Sequence, residues 1–502
     1  MQTNEHDHTL ITRVRPSGWH PPKPESMYNL VVIGAGTAGL ISAVGCAALG
    51  GKVALVEKKM MGGDCLNVGC VPSKCLIRSA RAASLISGAD RFGLTPHNIT
   101  TTDFDAVMNR LRRIRAHISR NDSAQRYSNM GVHVFFGEAS FLDRRSIEVN
   151  GTRLNFRKAV IATGSSPVHP KVTGLTETGF RTNETIFDLT ELPQSLAVIG
   201  GGPVGCELAQ AFRRLGSEVT IIQRSRFLPF CDAEASDLLE KKFRCEGIRV
   251  LSNCEPIRVE KTDRLKRIIV RNGTGKKPIE CDEILIGTGR RPNVENLSLS
   301  EAGIDFDSRM GIHVDDFLRT TNPRVFAAGD VCMNWKFTHA ADAAARIAVR
   351  NALFMGRKRL SSLNMPWCIY TDPEIAHVGL GEKDVHNRNT RVDIFKVSMN
   401  EVDRAVLDGE TDGFVKILTR KGTDRIVGAT IVAAHAGDLI SELSVAMTAG
   451  AGLKTIADII HPYPTQADGI RRAASVYNRS RLTPRVLGLF KLWLKFRRDL
   501  GI

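Results

Sequence analysis

The sequence has no run of about 18 apolar residues, which excludes a conventional membrane-spanning helix. It shows no apolar leader either. Met1 to Glu25 is polar and carries Pro16, Pro21, Pro22 and Pro24, so residues 1–26 are expected to be a flexible extension. The 11 cysteines are an odd number scattered along a long chain, not a disulfide framework. That usage points to a reducing, cytoplasmic compartment, where a close cysteine pair is more often catalytic than structural. No metal site is expected, because no second Cys/His pair follows at ligand spacing. No nucleic-acid-binding module is recognisable, so the net charge of +16 does not imply a nucleic-acid partner.

What is present is enough for several folded units. A chain of 502 residues suggests roughly three or four domains. Apolar residues at 42% and charged residues at 24% are the balance of a globular protein with a large core. The positive charge is uneven: Arg471 to Ile502 holds nine Lys/Arg and one acid, half of the whole excess. Within it, Val486 to Arg498 interleaves Leu, Phe and Trp with cations. Three accounts of residues 486–502 stay open. They are a solvated basic face, packing on the protein or on a second subunit, and an amphipathic helix on an anionic membrane surface.

Two segments share one design, 166 residues apart. In the first, the apolar strand Asn29–Ile33 runs into Gly34, Gly36 and Gly39 in the spacing G-x-G-x-x-G. A small-residue helix follows, then a strand ending at Glu57. In the second, Ser195–Ile199 runs into Gly200, Gly202 and Gly205, then a helix, then a strand leading to Gln223. The first glycine permits the turn, the second lets backbone approach a pyrophosphate, and the third packs helix on strand. Two copies in full strand–helix–strand context predict two dinucleotide sites. A carboxylate at Glu57 suits ribose hydroxyls. At the second site Gln223 replaces it, with Arg224 and Arg226 beside it. Loss of the acid and nearby guanidinium groups favour a 2′-phosphate, so NADPH is expected there, with NADH the alternative.

After about Asn364 the texture changes. Alternating stretches at Arg391–Val397 and Phe414–Leu418 predict an antiparallel sheet, and helices are expected near Asp438–Ala449 and Ile456–Ile460. The sharpest chemical feature lies earlier, in Gly62-Gly63-Asp64-Cys65-Leu66-Asn67-Val68-Gly69-Cys70-Val71-Pro72-Ser73-Lys74. If this segment is helical, its cysteines stand little more than one turn apart near one face, and a helix start would acidify a thiol. Two inert cysteines are the alternative. Cys75 reads as a small buried residue or, less simply, as a resolving thiol.

At these residues the sequence resembles the pyridine nucleotide–disulfide oxidoreductases. The likeness extends through Ile161-Ala162-Thr163-Gly164, Glu207, Gly287-Thr288-Gly289-Arg290-Arg291-Pro292-Asn293, Val325–Asp330 and Tyr370–Glu374. It implies an α/β fold with two Rossmann-like domains, residues 27–180 with 296–365 for FAD and 181–295 for NAD(P)H. An α+β homodimerisation domain over 366–485 would follow, then the tail. The implied FAD contacts include Gly63, Thr163, Gly164, Gly329 and Asp330; Gly289 would lie against NAD(P). The implied electron path runs from nicotinamide through flavin to the Cys65–Cys70 disulfide. Cys70 would be the charge-transfer thiolate and Cys65 the exchanging thiol, with Lys74 and Glu207 as a charged pair beside the rings.

One departure bears on substrate. The family's disulfide reductases carry a catalytic His in His-Pro-Thr-x-x-Glu, whereas this chain reads His461-Pro462-Tyr463-Pro464-Thr465-Gln466-Ala467-Asp468. Tyr463 replaces the base and Asp468 its carboxylate partner, and a phenol with a pKa of about 10 is a poor base. The pattern is similar to mercuric reductases, which need no such base. The sequence nevertheless shows no N-terminal Cys-x-x-Cys domain, and its last cysteine is Cys368, so no terminal thiols relay a soft metal. The expected activity is NAD(P)H-driven electron transfer to a small-molecule or metal-ion acceptor at the subunit interface. The alternatives are a dihydrolipoamide dehydrogenase using His461 as base, and a membrane-attached redox or scaffold protein acting through its tail.

Overall fold

The computed structural model describes residues 4–95, 102–273 and 275–500. They form two compact units, residues 1–226 with 243–363, and 227–242 with 364–502.

The first unit is built on the two expected strand–helix–strand motifs. Tyr28–Ile33 is the centre of a seven-stranded sheet, flanked in parallel by Val53–Glu57 and Thr152–Ile161. Val132–Phe136 and Val325–Ala327 extend the parallel part. The central strand is buried on both faces, as its unbroken Leu-Val-Val-Ile run requires. The second motif forms a separate four-stranded parallel sheet in the order Arg249–Leu251, Glu218–Ile222, Ser195–Ile199, Glu283–Ile286. A three-stranded antiparallel sheet, Glu255–Lys261, Lys266–Asn272 and Gly275–Cys281, accompanies it. The two nucleotide-binding segments, expected as two domains, thus keep separate sheets within one compact unit.

The N-terminal segment departs from its expectation. Glu5–Val14 is a helix that buries Leu10 and Val14, four residues apart on one face. Asp7 pairs at 2.7 Å with the buried Arg115, and Trp19 donates its indole N–H to the Val134 carbonyl at 3.0 Å. The prolines lie beyond the helix, so the polar composition concealed a short apolar stripe and a cation needing a partner.

The second unit carries a five-stranded antiparallel sheet, in the order Trp367–Ile369, Glu374–Gly379, Ile426–Ala433, Phe414–Arg420, Val392–Ser398. Helices Ala436–Ala449 and Asp468–Ser480 cover it, and Ile440, Leu443, Ile470 and Tyr477 complete the core. Each such large apolar side chain contributes about 1.5–3 kcal/mol by leaving water. Phe414–Arg420 does not alternate, because six successive residues are buried. Among them is Lys416, whose ammonium lies 2.9 Å from Asp232 and 2.9 Å from Glu382. A buried cation needs such partners. This pairing draws residues 227–242, expected in the NAD(P) domain, into the second unit.

Candidate active site

The two glycine loops are shaped by close approach. A Cβ on Gly39 would stand 1.7 Å from the Gly34 carbonyl oxygen, and one on Gly205 would stand 2.0 Å from that of Gly200. Only glycine lets each helix close onto its strand. The middle glycines differ: a Cβ on Gly36 would meet nothing nearer than 3.7 Å, and one on Gly202 nothing nearer than 3.9 Å. The backbone there is open at a helix N-terminus, which fits a pyrophosphate. Gly63 abuts the first opening, since its own Cβ would fall 2.7 Å from the Gly36 Cα.

The residue ending each second strand braces its loop. Glu57 is buried and accepts from the Ala35 amide at 2.7 Å and the Lys59 amide at 2.6 Å. Burial raises its carboxyl above the usual range against the pull of those amides. Gln223 makes the corresponding bond from Gly201 at 2.8 Å and donates to Ser225 at 2.9 Å. A neutral amide thus does the carboxylate's bracing at the second site, and Arg224 and Arg226 lie exposed beside it.

Distant segments lock the rest of the first loop's surroundings. Thr163 donates its hydroxyl to the Asn293 carbonyl at 2.7 Å, and the Asn293 amide returns to the Thr163 carbonyl at 2.9 Å. Gly164 and Gly289, at φ +69° and +110°, turn the chain on either side. Asp330, which follows Gly329, accepts from Ser165 at 2.6 Å. Arg290 donates to Ser165 at 2.7 Å and pairs with Asp64, the residue before Cys65. Burial raises Asp64 despite this cation. In the sequence Arg290 stands in a motif without a role of its own, and nothing near Asp64 marks it as the partner.

The cysteines do not share one helix. Cys65 lies in the short helix Gly63–Asn67, and Cys70 is the first residue of the helix Cys70–Ser87. Gly69 separates them, and a Cβ there would press 2.8 Å from the Asp64 carbonyl oxygen. The break places Cys70 at the positive end of an 18-residue helix. Cys70 is exposed, and its thiol is held well below the ordinary range by the hydrogen bond from Cys65, then by Thr338 and the Lys74 charge. Cys65 is pushed up by giving that bond and by burial. The pair is therefore asymmetric, with the charged form favoured at Cys70 and the protonated form at Cys65. Thr338 Oγ1 stands 3.2 Å from Cys70 Sγ, and nothing local in the sequence announces a partner 268 positions away. Lys74 donates to the buried Glu207 at 2.7 Å, bringing the two expected charges together. Cys75 is half-buried, and burial raises its thiol, the behaviour of a packing residue.

In the second unit the expected Tyr463–Asp468 partnership does not form. Tyr463, 72% exposed, donates to Asp403 at 2.9 Å, and that bond raises its phenol above the usual range. Asp468 is held by Arg471 and Arg472, whose hydrogen bonds outweigh burial and keep it below the usual carboxylate range. His461 has a side chain only 6% exposed, with Nδ1 3.0 Å from the Ile459 carbonyl and Nε2 3.0 Å from Glu442. Both ring nitrogens are thus occupied by groups of the same unit. Among the described residues no group of three or more His, Cys, Asp or Glu side chains is disposed to hold a metal ion.

Residues 28–345 match the model of the pyridine nucleotide-disulphide oxidoreductases, and 365–474 match that family's dimerisation domain. The chain belongs to this family. Its relatives include a mercuric reductase from Lysinibacillus sphaericus, 33% identical over 456 residues, spanning 91% of this chain and 83% of that protein. A dihydrolipoyl dehydrogenase from Thermus scotoductus is 34% identical over 467 residues, 90% of this chain and 98% of that one. Among solved structures, the HOCl-induced flavoprotein disulfide reductase RclA from Escherichia coli superposes with a TM-score of 0.80. It is 28% identical and covers 89% of this chain and 99% of its own. The chain is accordingly an oxidoreductase of an FAD-dependent family with NAD(P)H as electron donor, and its dimerisation domain supports a homodimer. The open Gly36 loop, Glu57 and the Asp330 network fit FAD. The Gly202 loop with Gln223 fits the nicotinamide dinucleotide.

Proposed function

We propose that this protein passes electrons from NADPH through the Cys65–Cys70 pair to a soft metal ion and not to a disulfide. The carrying observation is Tyr463, held as a hydrogen-bond donor to Asp403 where disulfide reductases keep a general base. Dithiol–disulfide exchange needs a group to take and return a thiol proton. Tyr463 and His461 both face acceptors, so neither is placed to do so.

A soft ion asks for no such base, because thiolates bind it directly. FAD, when bound, relays the two electrons of a hydride. Cys70 is then the thiolate held ready beside Thr338 and Lys74, and Cys65 is the thiol that meets the acceptor. One Hg(II) takes both electrons of one NADPH; two Cu(II) take one each. Mercuric reductases among the relatives, and a Cu(II) complex of RclA among the related structures, support this class of acceptor. The test is NADPH oxidation by the holoenzyme with Hg(II), Cu(II), lipoamide, glutathione disulfide or a quinone. Turnover with either metal, and near-background rates with both disulfides, is the expected result. Dihydrolipoamide oxidation by NAD at a rate matching or exceeding metal reduction would overturn it.

A further inference from the structure

The last helix of the second unit is built differently from the one before it. Asp468–Ser480 is seated on the sheet through Ile470, Ala473, Ala474 and Tyr477. Pro484–Asp499, begun by the Thr483 cap and Pro484, buries no residue at all. Its apolar side chains are nevertheless large: Trp493 is 56% exposed, and Leu489, Leu492 and Leu494 are each exposed by 65–67%. At about 100° per residue, Lys491, Lys495 and Arg498 fall on one narrow strip. Leu489, Trp493 and Phe496 run down the opposite side, with Leu492 and Phe490 widening it, while Leu487 and Leu494 flank the cation strip. Trp493 stacks on Phe496 with ring centroids 6.0 Å apart.

A wide apolar face with aromatics at its centre, bordered by cations, is the construction of a helix lying in a lipid interface. Arg485 and Arg497 emerge within the apolar arc, and their long stems let the charges reach out to headgroups. The helix has five cations against one acid. A second copy of this chain carries the same net +16, so the approach of two such strips is opposed overall by like charge. An anionic bilayer offers the strip opposite charge. Among the described residues no helix is long and apolar enough to cross a membrane, so the contact is with the surface.

We infer that the Pro484–Asp499 helix docks the enzyme on anionic phospholipid membranes, with Trp493 and Phe490 inserted and Lys491, Lys495 and Arg498 at the headgroups. The inference rests on this helix alone and is independent of the electron acceptor. The test is flotation of the full-length holoenzyme with vesicles of phosphatidylcholine alone or with about one-third phosphatidylglycerol. The protein is expected to float with the anionic vesicles only and to be released at about 1 M salt. Trp493→Glu with Phe490→Glu should weaken partitioning by about tenfold or more, and Lys491→Gln with Lys495→Gln by about tenfold. Both double variants should keep the flavin spectrum and the rate of reduction by NADPH, which shows that they fold. Equal flotation with both lipid compositions, or flotation untouched by the variants, would overturn the inference. So would tail variants that leave lipid binding alone but change the sedimenting mass of lipid-free enzyme, which would assign the helix to a second copy.

Discussion

The cysteine pair and the Tyr463 segment are the two places where this family's chemistry handles protons, and in this chain they are set in opposite senses. Around Cys70, a helix N-terminus, Thr338, Lys74 and the neighbouring thiol all favour the charged form. Around Tyr463, Asp403 favours the protonated form, while Asp468 is committed to two arginines. One region favours an ionised sulfur; in the other, Tyr463 and Asp468 are each engaged by partners of their own. On the proposed function, nucleophile and base are separable parts of the design, and the second changes while the first stays intact.

Removing the prepared side should have the largest effect. Cys65→Ser or Cys70→Ala is expected to lower acceptor-dependent NADPH oxidation by about 10³-fold or more, since the two sulfurs act as a unit. Steady-state absorbance at the NADPH band checks this, and a variant that retains activity would separate turnover from the pair. Restoring the missing side comes next. Tyr463→His should raise lipoamide or glutathione disulfide reduction by about 10²-fold, the usual worth of a positioned base, whereas Tyr463→Phe should leave it at background. No gain from the histidine would mean that the contrast has another cause.

A smaller contrast lies within the first unit, between Glu57 and Gln223. Arg224→Ala should raise the KM for NADPH by about tenfold and leave that for NADH unchanged, because only the 2′-phosphate meets the guanidinium. Equal changes for both would assign Arg224 to general charge. The smallest effect concerns the thiolate itself. Its absorbance is present above the Cys70 pKa and is lost as pH falls through it. Thr338→Val removes a hydrogen bond to the charged form, so the loss should move upward by about one pH unit in a spectroscopic titration.

Much of this was legible because the chemistry is local in the chain. The glycine spacings with Glu57 and Gln223 each specify their own strand, turn or helix start, and the structure forms those elements; the cysteine segment supplies its helix start at Cys70 but breaks at Gly69 into two helices. What was not legible depended on contacts between remote residues. Thr338 beside Cys70, Arg290 bridging toward Asp64, and Asp403 taking Tyr463 from its expected partner have no short-range pattern. The N-terminal helix was hidden because two buried apolar residues among many polar ones count for little until Arg115 supplies a partner for Asp7. Residues 227–242 belong to a different unit from the one expected for a similar reason, since only the fold shows where Lys416 finds its carboxylates.

The most direct test of the prepared pair is stopped-flow reduction of the purified holoenzyme by NADPH, followed at long wavelength. A thiolate-to-flavin band should appear in the wild type and in Tyr463→Phe alike, and be absent from Cys70→Ala. A wild-type protein that shows no such band, or a Cys70→Ala variant that keeps it, would contradict the role of Cys70 as the thiolate facing the flavin.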